Sequence, residues 1–232
     1  LNLTKGKVYH EITTIGHVAE GSAAQQSGFL PGDEIVSINN NRVRSWEDIQ
    51  TNIYLESLND DLTVKVQRGG ASETVFVDRN VIPDPTGEEP FGILPSGSRA
   101  MVNAVQSGMP ADDIGLKAGD VIVSIDNETM WSSHDVTHTI SAHPDEPIKI
   151  IWKHNGVEHV ELVTPNLSSE GTGYIGISIS TSIDGPIRVV QYAFFEALGV
   201  GIDDLKLQIQ LFFKSIWSIF AGKSSIKKNI SG

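Results

Sequence analysis

The apolar positions of the chain fall into short blocks that alternate between two rhythms. Ile35-Val36-Ser37-Ile38 and Val121-Ile122-Val123-Ser124-Ile125 are mostly β-branched runs bounded by Gly-Asp and Asn turns, the pattern of buried strands. Ile15–Val18 and Met101–Val105 read as further short strands, each followed by small residues and a brief helix (22–27 and 110–114). Longer helices are predicted over 45–56 and 132–143. Ser45 and Ser132 are natural N-caps, with Asp48 and Asp135 three residues on in the manner of a shortened capping box. Two hairpins follow, 62–68 turning at Gly69-Gly70 into 74–77, and 148–154 turning at Asn155-Gly156 into 159–163.

These elements come in two sets. Gly28-Phe29-Leu30-Pro31-Gly32-Asp33-Glu34-Ile35-Val36-Ser37-Ile38-Asn39-Asn40 aligns with Gly115 to Asn127 at a shift of 87 residues, and eight of the thirteen pairs are identical. The register carries on to Asp48/Asp135 and Ile53/Ile140, and with a one-residue gap to the hairpin turns. Chance does not produce this, so one module occurs twice. Gly28 and Gly115 stand where a helix end needs a left-handed residue. The proline-rich stretch 83–90 reads as a linker between copies. The expected division is therefore 1–82, linker 83–90, 91–167, and an extension over 168–232.

The chain holds 232 residues, no cysteine and a formal charge of −12. That composition is globular, excludes disulfides and thiolate metal sites, and argues against a nucleic-acid partner. The charge is uneven. Residues 1–187 carry 11 Lys+Arg against 26 Asp+Glu, a balance of −15, while 188–232 carry 6 against 3, a balance of +3. The basic end is also the most apolar, with ten large apolar side chains among the sixteen residues of 205–220. As a helix it would show a broad apolar face including Phe212, Phe213, Ile216 and Phe220, with Lys206, Gln210 and Lys214 opposite. Trp217 and Lys223 suit an interface with anionic headgroups, so these six residues, Phe212, Phe213, Ile216, Trp217, Phe220 and Lys223, are the expected membrane contacts. The alternative is a helix folded back on the body. A second helix is expected over 187–198. No run of about 18 apolar residues is present. The chain opens on Leu1 with no signal peptide, so it is expected to be a piece of something longer.

The repeated unit, strand, small-residue helix, then Gly-x-x-(Pro/Ala)-Gly-Asp-x-Ile-x-x-Ile, resembles the circularly permuted PDZ domain of bacterial proteases. Phe91-Gly92-Ile93-Leu94-Pro95 is similar to that family's carboxylate-binding loop and ligand strand. Gly173-Tyr174-Ile175-Gly176-Ile177 and the tail from Ser215 resemble the stretch of site-2 intramembrane metalloproteases of the RseP type that leads to their third transmembrane helix. The resemblance implies an α+β fold: two permuted PDZ domains, each a small β-sandwich or partly open barrel with two helices, plus a helical C-terminal extension.

A PDZ module binds by strand addition, with the terminal carboxylate captured by the N–H groups of a tight glycine loop. In the second copy Phe91, Gly92, Ile93 and Leu94 would supply loop and strand, and Val136 and Ile140, at i and i+4, the helical wall. In the first copy Ile49 and Ile53 repeat the wall spacing, but Lys5-Gly6-Lys7-Val8 upstream offers no apolar-Gly-apolar loop. All of these residues could equally be ordinary core or turn positions. His134-Asp135-Val136-Thr137-His138 imitates the zinc-protease pattern His-Glu-x-x-His, but its Asp is one methylene short and no third ligand is evident, so two solvent-facing histidines are expected. No nucleophile elbow or phosphate-binding glycine loop occurs.

The resemblance implies a catalytically silent region, without catalytic residues or a metal of its own, of a zinc-dependent parent enzyme. It places the region on the periplasmic side of a bacterial inner membrane, where the PDZ pair filters or docks trimmed single-span membrane proteins such as an anti-sigma factor. The expected partners are a peptide or membrane-protein C-terminus and the membrane surface. Two other readings stay open: a periplasmic peptide-binding scaffold, and the PDZ half of a trypsin-like periplasmic serine protease.

Overall fold

A computed structural model describes residues 7–56, 61–83 and 91–190. The elements are, in order, β1 (Lys7–His10), β2 (Ile15–Val18), α1 (Ala23–Ser27), β3 (Glu34–Ile38), β4 (Asn41–Arg42), α2 (Trp46–Thr51) continued by a π turn (Asn52–Glu56), β5 (Leu62–Arg68), β6 (Ala71–Val77) and β7 (Ile93–Pro95). The same order then recurs as β8 (Ser98–Val105), α3 (Pro110–Asp113), β9 (Val121–Ile125), β10 (Glu128–Thr129), α4 (Ser133–Ser141), β11 (Ile148–His154) and β12 (Val157–Val163). After it come β13 (Asn166–Leu167), β14 (Gly173–Tyr174), β15 (Ile177–Ile183) and β16 (Ile187–Val190).

Local chemistry accounts for these elements. Ser22 caps α1, accepting from Gln25 N, and Gly28 ends it at φ 93°. Ser132 and Asp135 form a full capping box at the start of α4. The hairpin turns Asn39-Asn40, Asp126-Asn127 and Asn155-Gly156 hold both central residues at positive φ, which Asn, Asp and Gly tolerate best.

Two compact units emerge: residues 10–186, and residues 1–9 together with 187–232. In the smaller unit β1 pairs with β16, and the Arg188 guanidinium lies 4.9 Å from the centre of the Tyr9 ring. Ile187–Val190 is therefore a strand, where the sequence suggested the start of a helix. Its Ile-Arg-Val-Val order favours extended backbone once a partner edge is supplied. The remainder of that expected helix, and the whole of 205–220, lie outside the described residues.

The larger unit holds both copies of the module, each with its own core. The first is built on Phe29, Ile35, Ile38, Trp46, Ile49, Val64 and Phe91, the second on Leu116, Ile122, Ile125, Val136, Ile150, Trp152 and Ile175. The sheets run β4-β3-β5-β6 in the first, and β12-β11-β9-β8-β15 with β10 on β9 in the second. The copies are closed by late strands: β7 pairs with β2, and β15 pairs with β8. The expected boundaries must move accordingly. The stretch 83–90 is not a linker between modules but an excursion inside the first. Ser96-Gly97 is the passage from one module to the other. Residues 168–183, expected to lie in the extension, complete the second module.

Each module also buries an aspartate just before its first long strand. Asp33 is 0% exposed. It accepts from Arg68 Nε at 2.7 Å and Nη2 at 2.6 Å, while Nη2 also reaches Gly28 O at 2.9 Å. Asp120, equally buried, meets His154 Nδ1 at 2.6 Å instead. The pairing position is the same but the first module uses a permanent, forked cation. Replacing Arg68 with Ala leaves a buried carboxylate without its counter-charge, which costs about 3 kcal/mol. The expected outcome is a lower denaturant midpoint for Arg68→Ala than for Arg68→Lys; equal midpoints for Arg68→Ala and the parent chain would contradict it.

The modules touch where His17 of β2 stacks on Trp131, just ahead of α4, with ring centres 5.0 Å apart and planes 13° from parallel. Burial lowers the His17 pKa below its ordinary 6.5, with the Asp135 carboxylate pulling the other way. A depressed histidine binds protons more readily in the unfolded chain, so its contribution is complete above 6.5 and is lost as pH falls below that value. Thermal midpoints measured between pH 5 and 8 should rise with pH, and less steeply in His17→Phe.

Candidate functional site

The closing strands bring the candidate site together, and they do so in the same way twice. In the first module the carbonyl of Phe91 accepts from Ala24 N at 3.0 Å and that of Gly92 from Ala19 N at 2.8 Å. In the second, Ile175 O accepts from Ala111 N at 3.0 Å and Gly176 O from Gln106 N at 2.8 Å. Ala24/Ala111 and Ala19/Gln106 stand at the 87-residue shift. The loops themselves, Phe91-Gly92-Ile93 and Ile175-Gly176-Ile177, stand at 84. Both are apolar-Gly-apolar.

The glycines are needed for two reasons. Gly92 and Gly176 have φ of 98° and 81°. A Cβ on Gly92 would overlap Ser22, the cap of α1, and one on Gly176 would overlap Met109 at the matching position of α3. Each loop therefore passes directly over the start of a short helix, held by the two carbonyl bonds. Phe91 packs edge-on against Phe29 with ring centres 5.7 Å apart, anchoring the loop in the core. Ile175 and Leu116 take those two positions in the second module.

These contacts correct the sequence-based assignment. Phe91, Gly92, Ile93 and Leu94 belong to the first module, whose loop is therefore apolar-Gly-apolar after all. The second module's loop is Ile175-Gly176-Ile177, which resemblance had placed in a membrane-leading stretch. The repeat conceals this, because the closing segment returns after an excursion that is three residues shorter in the second copy. The helical wall also differs. Val136 and Ile140 are 0% and 5% exposed, and Ile49 and Ile53 0% and 2%, all inside the cores. The residue that faces the closing strand is Ser133: its N–H donates to Thr181 Oγ1 at 2.9 Å, and its Oγ lies 3.1 Å from the same atom. Thr137 and Ser141, at i+4 and i+8, continue that face. The missed signal was this hydroxyl row, one step round the helix from the apolar stripe.

In the second module β15 ends the sheet path, so its outer edge is unpaired among the described residues, and α4 lies alongside it. Ile177 and Ile179, half-buried, pack on the core beneath. Ile175 and Gly176 N–H have no hydrogen-bond partner among the described residues. The geometry thus offers an open strand edge, an apolar floor and two amides in a left-handed loop. That set of groups accepts an extended peptide ending in a carboxylate.

The histidine pair is elsewhere. His134 and His138 are exposed on α4 with ring centres 6.1 Å apart. The Asp135 carboxylate between them is taken up by Trp131 N and Ser132 N, both at 2.9 Å. Among the described residues no three His, Cys, Asp or Glu side chains gather as metal ligands. Nor is any described helix long and apolar enough to cross a membrane. Phe212, Phe213, Ile216, Trp217, Phe220 and Lys223 lie outside the described residues.

The class is that of a tandem PDZ protein of α+β fold: residues 4–78 and 101–153 each match the PDZ domain family. Both matches stop before the permuted closing strands. A Pasteurella multocida protein named as a zinc metalloprotease is 24% identical over 94% of this chain and 50% of its own length. A Vibrio cholerae protein of the same name is 25% identical over 94% and 51%. The regulator of sigma-E protease RseP of Salmonella typhimurium is 22% identical over 94% and 51%. A solved PDZ domain of an SdrC-like protein from Listeria monocytogenes is 29% identical over 35% of this chain and 86% of its own, with a TM-score of 0.33. The chain thus carries two PDZ domains, is similar over nearly its whole length to proteins named zinc metalloprotease and regulator of sigma-E protease RseP, and spans about half the length of the curated relatives it matches.

Gly176→Val should both strain the backbone and displace Met109, lowering stability by about 2 kcal/mol or more. Urea titration of this variant beside Gly171→Val, whose Cβ meets nothing within 4 Å and whose φ of 83° is just as strained, isolates the contact from the backbone. Equal losses in the two would mean that the close approach to α3 contributes nothing.

Proposed function

We propose that this chain is the non-catalytic, substrate-docking region of a longer membrane-embedded zinc metalloprotease. It receives the newly exposed C-terminus of a single-span membrane protein already trimmed by another protease, an anti-sigma factor being the model substrate. The observation that carries the reading is the pair of unpartnered amides at Ile175 and Gly176 beside the free edge of β15. A trimmed protein presents a new terminal carboxylate, and such a loop distinguishes it from an uncut chain. Main-chain bonds along β15 would supply affinity, and Ile177 and Ile179 would read an apolar side chain.

On this reading the region lies on the periplasmic face of a bacterial inner membrane. The tail, rich in large apolar side chains over 205–220 and in lysines after it, would supply the membrane contacts: Phe212, Phe213, Ile216, Trp217, Phe220 and Lys223. Zinc and the catalytic groups belong to parts of the parent protein outside these residues. A second reading, steric filtering of untrimmed ectodomains, is favoured by the Ser133–Thr181 bridge, which narrows the cleft.

Titration calorimetry of the 232-residue chain with a hexapeptide ending in leucine tests docking. The free-acid peptide should bind at least tenfold more tightly than its C-terminal amide, because only the acid satisfies both amides with a charged acceptor. Equal affinities would remove the docking reading. Retained cleavage by the whole enzyme carrying Ile177→Asp would leave filtering in its place.

A further inference from the structure

The matched ends of the two hairpins carry different chemistry on one frame. In the first module Arg68 joins two carboxylates: it grips the buried Asp33 and reaches Glu73 Oε2 through Nη1 at 2.8 Å. The second module keeps the aspartate as Asp120. At the 86-residue shift that the one-residue gap sets, His154 stands for Arg68 and His159 for Glu73. Where the first module has a cation and an anion, the second has two imidazoles. The guanidinium is permanently charged, whereas a neutral imidazole brings no charge to Asp120.

The two rings are placed and oriented for a shared ligand. In the β11–β12 register His159 lies opposite Trp152, and His154 opposite Val157. The histidines are therefore diagonal neighbours on one face of the hairpin. Their ring centres are 6.5 Å apart, with planes at 70°. His159 rests on the buried Trp152, with ring centres 5.4 Å apart and planes 18° from parallel. His154 is fixed from the other side. Its Nδ1 is 2.6 Å from Asp120 Oδ1, while Asp120 Oδ2 accepts from Lys117 N at 2.9 Å. A carboxylate only accepts, so Nδ1 carries the hydrogen and the neutral ring keeps its lone pair on Nε2. The side chain is 38% exposed, and Asn155 Nδ2 lies 3.1 Å from that lone-pair nitrogen. A half-turn of the Asn155 amide presents its oxygen there instead.

A carboxylate behind an imidazole is the usual support of a metal-binding histidine, because it fixes the tautomer and makes the free nitrogen more basic. The other histidine pair lacks that support. His134 and His138 are one turn apart on α4, but the Asp135 carboxylate is committed to the backbone of the helix cap.

We infer that His154 Nε2 and His159 form a two-imidazole site for a divalent transition-metal ion, copper(II) in preference to nickel(II) or zinc(II), with water in the remaining positions. Two imidazole nitrogens at roughly 2.1 Å from one ion bring their ring centres to about 5 Å apart. The exposed His159 closes that part of the 6.5 Å gap by rotating toward His154. Through the imidazole the ion supplies at Asp120 the positive charge that Arg68 supplies at Asp33. The site exists only in the folded hairpin, so the ion stabilises the second module.

The test titrates the untagged 232-residue chain with copper(II), nickel(II) or zinc(II) chloride near neutral pH. Calorimetry gives affinity, and paramagnetic broadening of amide signals by copper(II) gives location. The parent chain should lose signals over 152–160. In a His134→Ala/His138→Ala background, which removes the competing helical pair, that broadening should persist. Adding His159→Ala there should weaken copper(II) binding at least tenfold. Saturating zinc(II) should raise the thermal midpoint of the parent chain. His154→Arg with His159→Glu rebuilds the Asp-Arg-Glu arrangement of the first module, and zinc(II) should not move its midpoint.

Broadening confined to 131–142 overturns the inference, as does the absence of binding by all three metals. Equal copper(II) affinity with and without His159→Ala overturns it too, and so does a zinc-dependent rise in midpoint that survives in the rebuilt variant. Should the rebuilt variant not fold, His159→Ala decides alone, since its position is exposed.

Discussion

Two carbonyl-to-amide bonds per module hold the candidate site in being. Phe91 O to Ala24 and Gly92 O to Ala19 tie a returning segment to the start of α1, and Ile175 O to Ala111 with Gly176 O to Gln106 repeat the arrangement on α3. With the carbonyls of Ile175 and Gly176 so engaged, the N–H groups that share their peptide planes, those of Gly176 and Ile177, are turned outward from the helix start. Glycine alone permits the turn, since a Cβ would strike the helix cap behind it. The outward-facing amides of the loop are thus a by-product of how the module is closed. The fold needs the carbonyl side of the loop for packing, which leaves its amide side for a ligand.

Closure by a late strand also explains how the two modules are joined. The last strand of the first, β7, leads through Ser96-Gly97 directly into β8, the first strand of the second. Gly97 sits at φ 83° with its Cα facing the Asp184 carbonyl, and its own carbonyl accepts from Asp184 N at 2.9 Å. Arg99 adds an ion pair to the Asp184 carboxylate at 2.5 Å, exposed and so a minor contribution. His17 on Trp131 supplies a ring contact between the modules. Two residues of chain, a hydrogen bond and a ring stack leave little room for the free rotation that a long flexible linker would allow.

Much of the fold was legible because local rules and the repeat agree. Ser22, Ser45 and Ser132 cap the predicted helices, Gly28 ends the first, and Asn155-Gly156 turns the predicted hairpin. The site was less legible, for three physical reasons. The 87-residue register breaks before the closing strands, because the excursion ahead of each is free to vary in length, so Phe91–Leu94 went to the wrong module. An apolar i, i+4 pair on a helix marks the core, and Val136 with Ile140 and Ile49 with Ile53 follow that rule, while the cleft is faced by hydroxyls that carry no hydrophobic signal. Lastly, Ile187–Val190 pairs with a strand nearly 180 residues earlier, and no local window contains that partner.

Comparison of the modules separates what closure fixes from what it leaves free to vary. Both copies keep what closure requires: the buried aspartate, the alanine amides, the looped glycine and an apolar residue beside it. They diverge in groups that closure does not use. Arg68 is matched by His154, Tyr54 by Ser141, and a three-residue strand by one of seven. In the first copy Tyr54 accepts from the Phe91 N–H, one neutral hydrogen bond that satisfies a donor whose counterpart at Ile175 has no partner among the described residues.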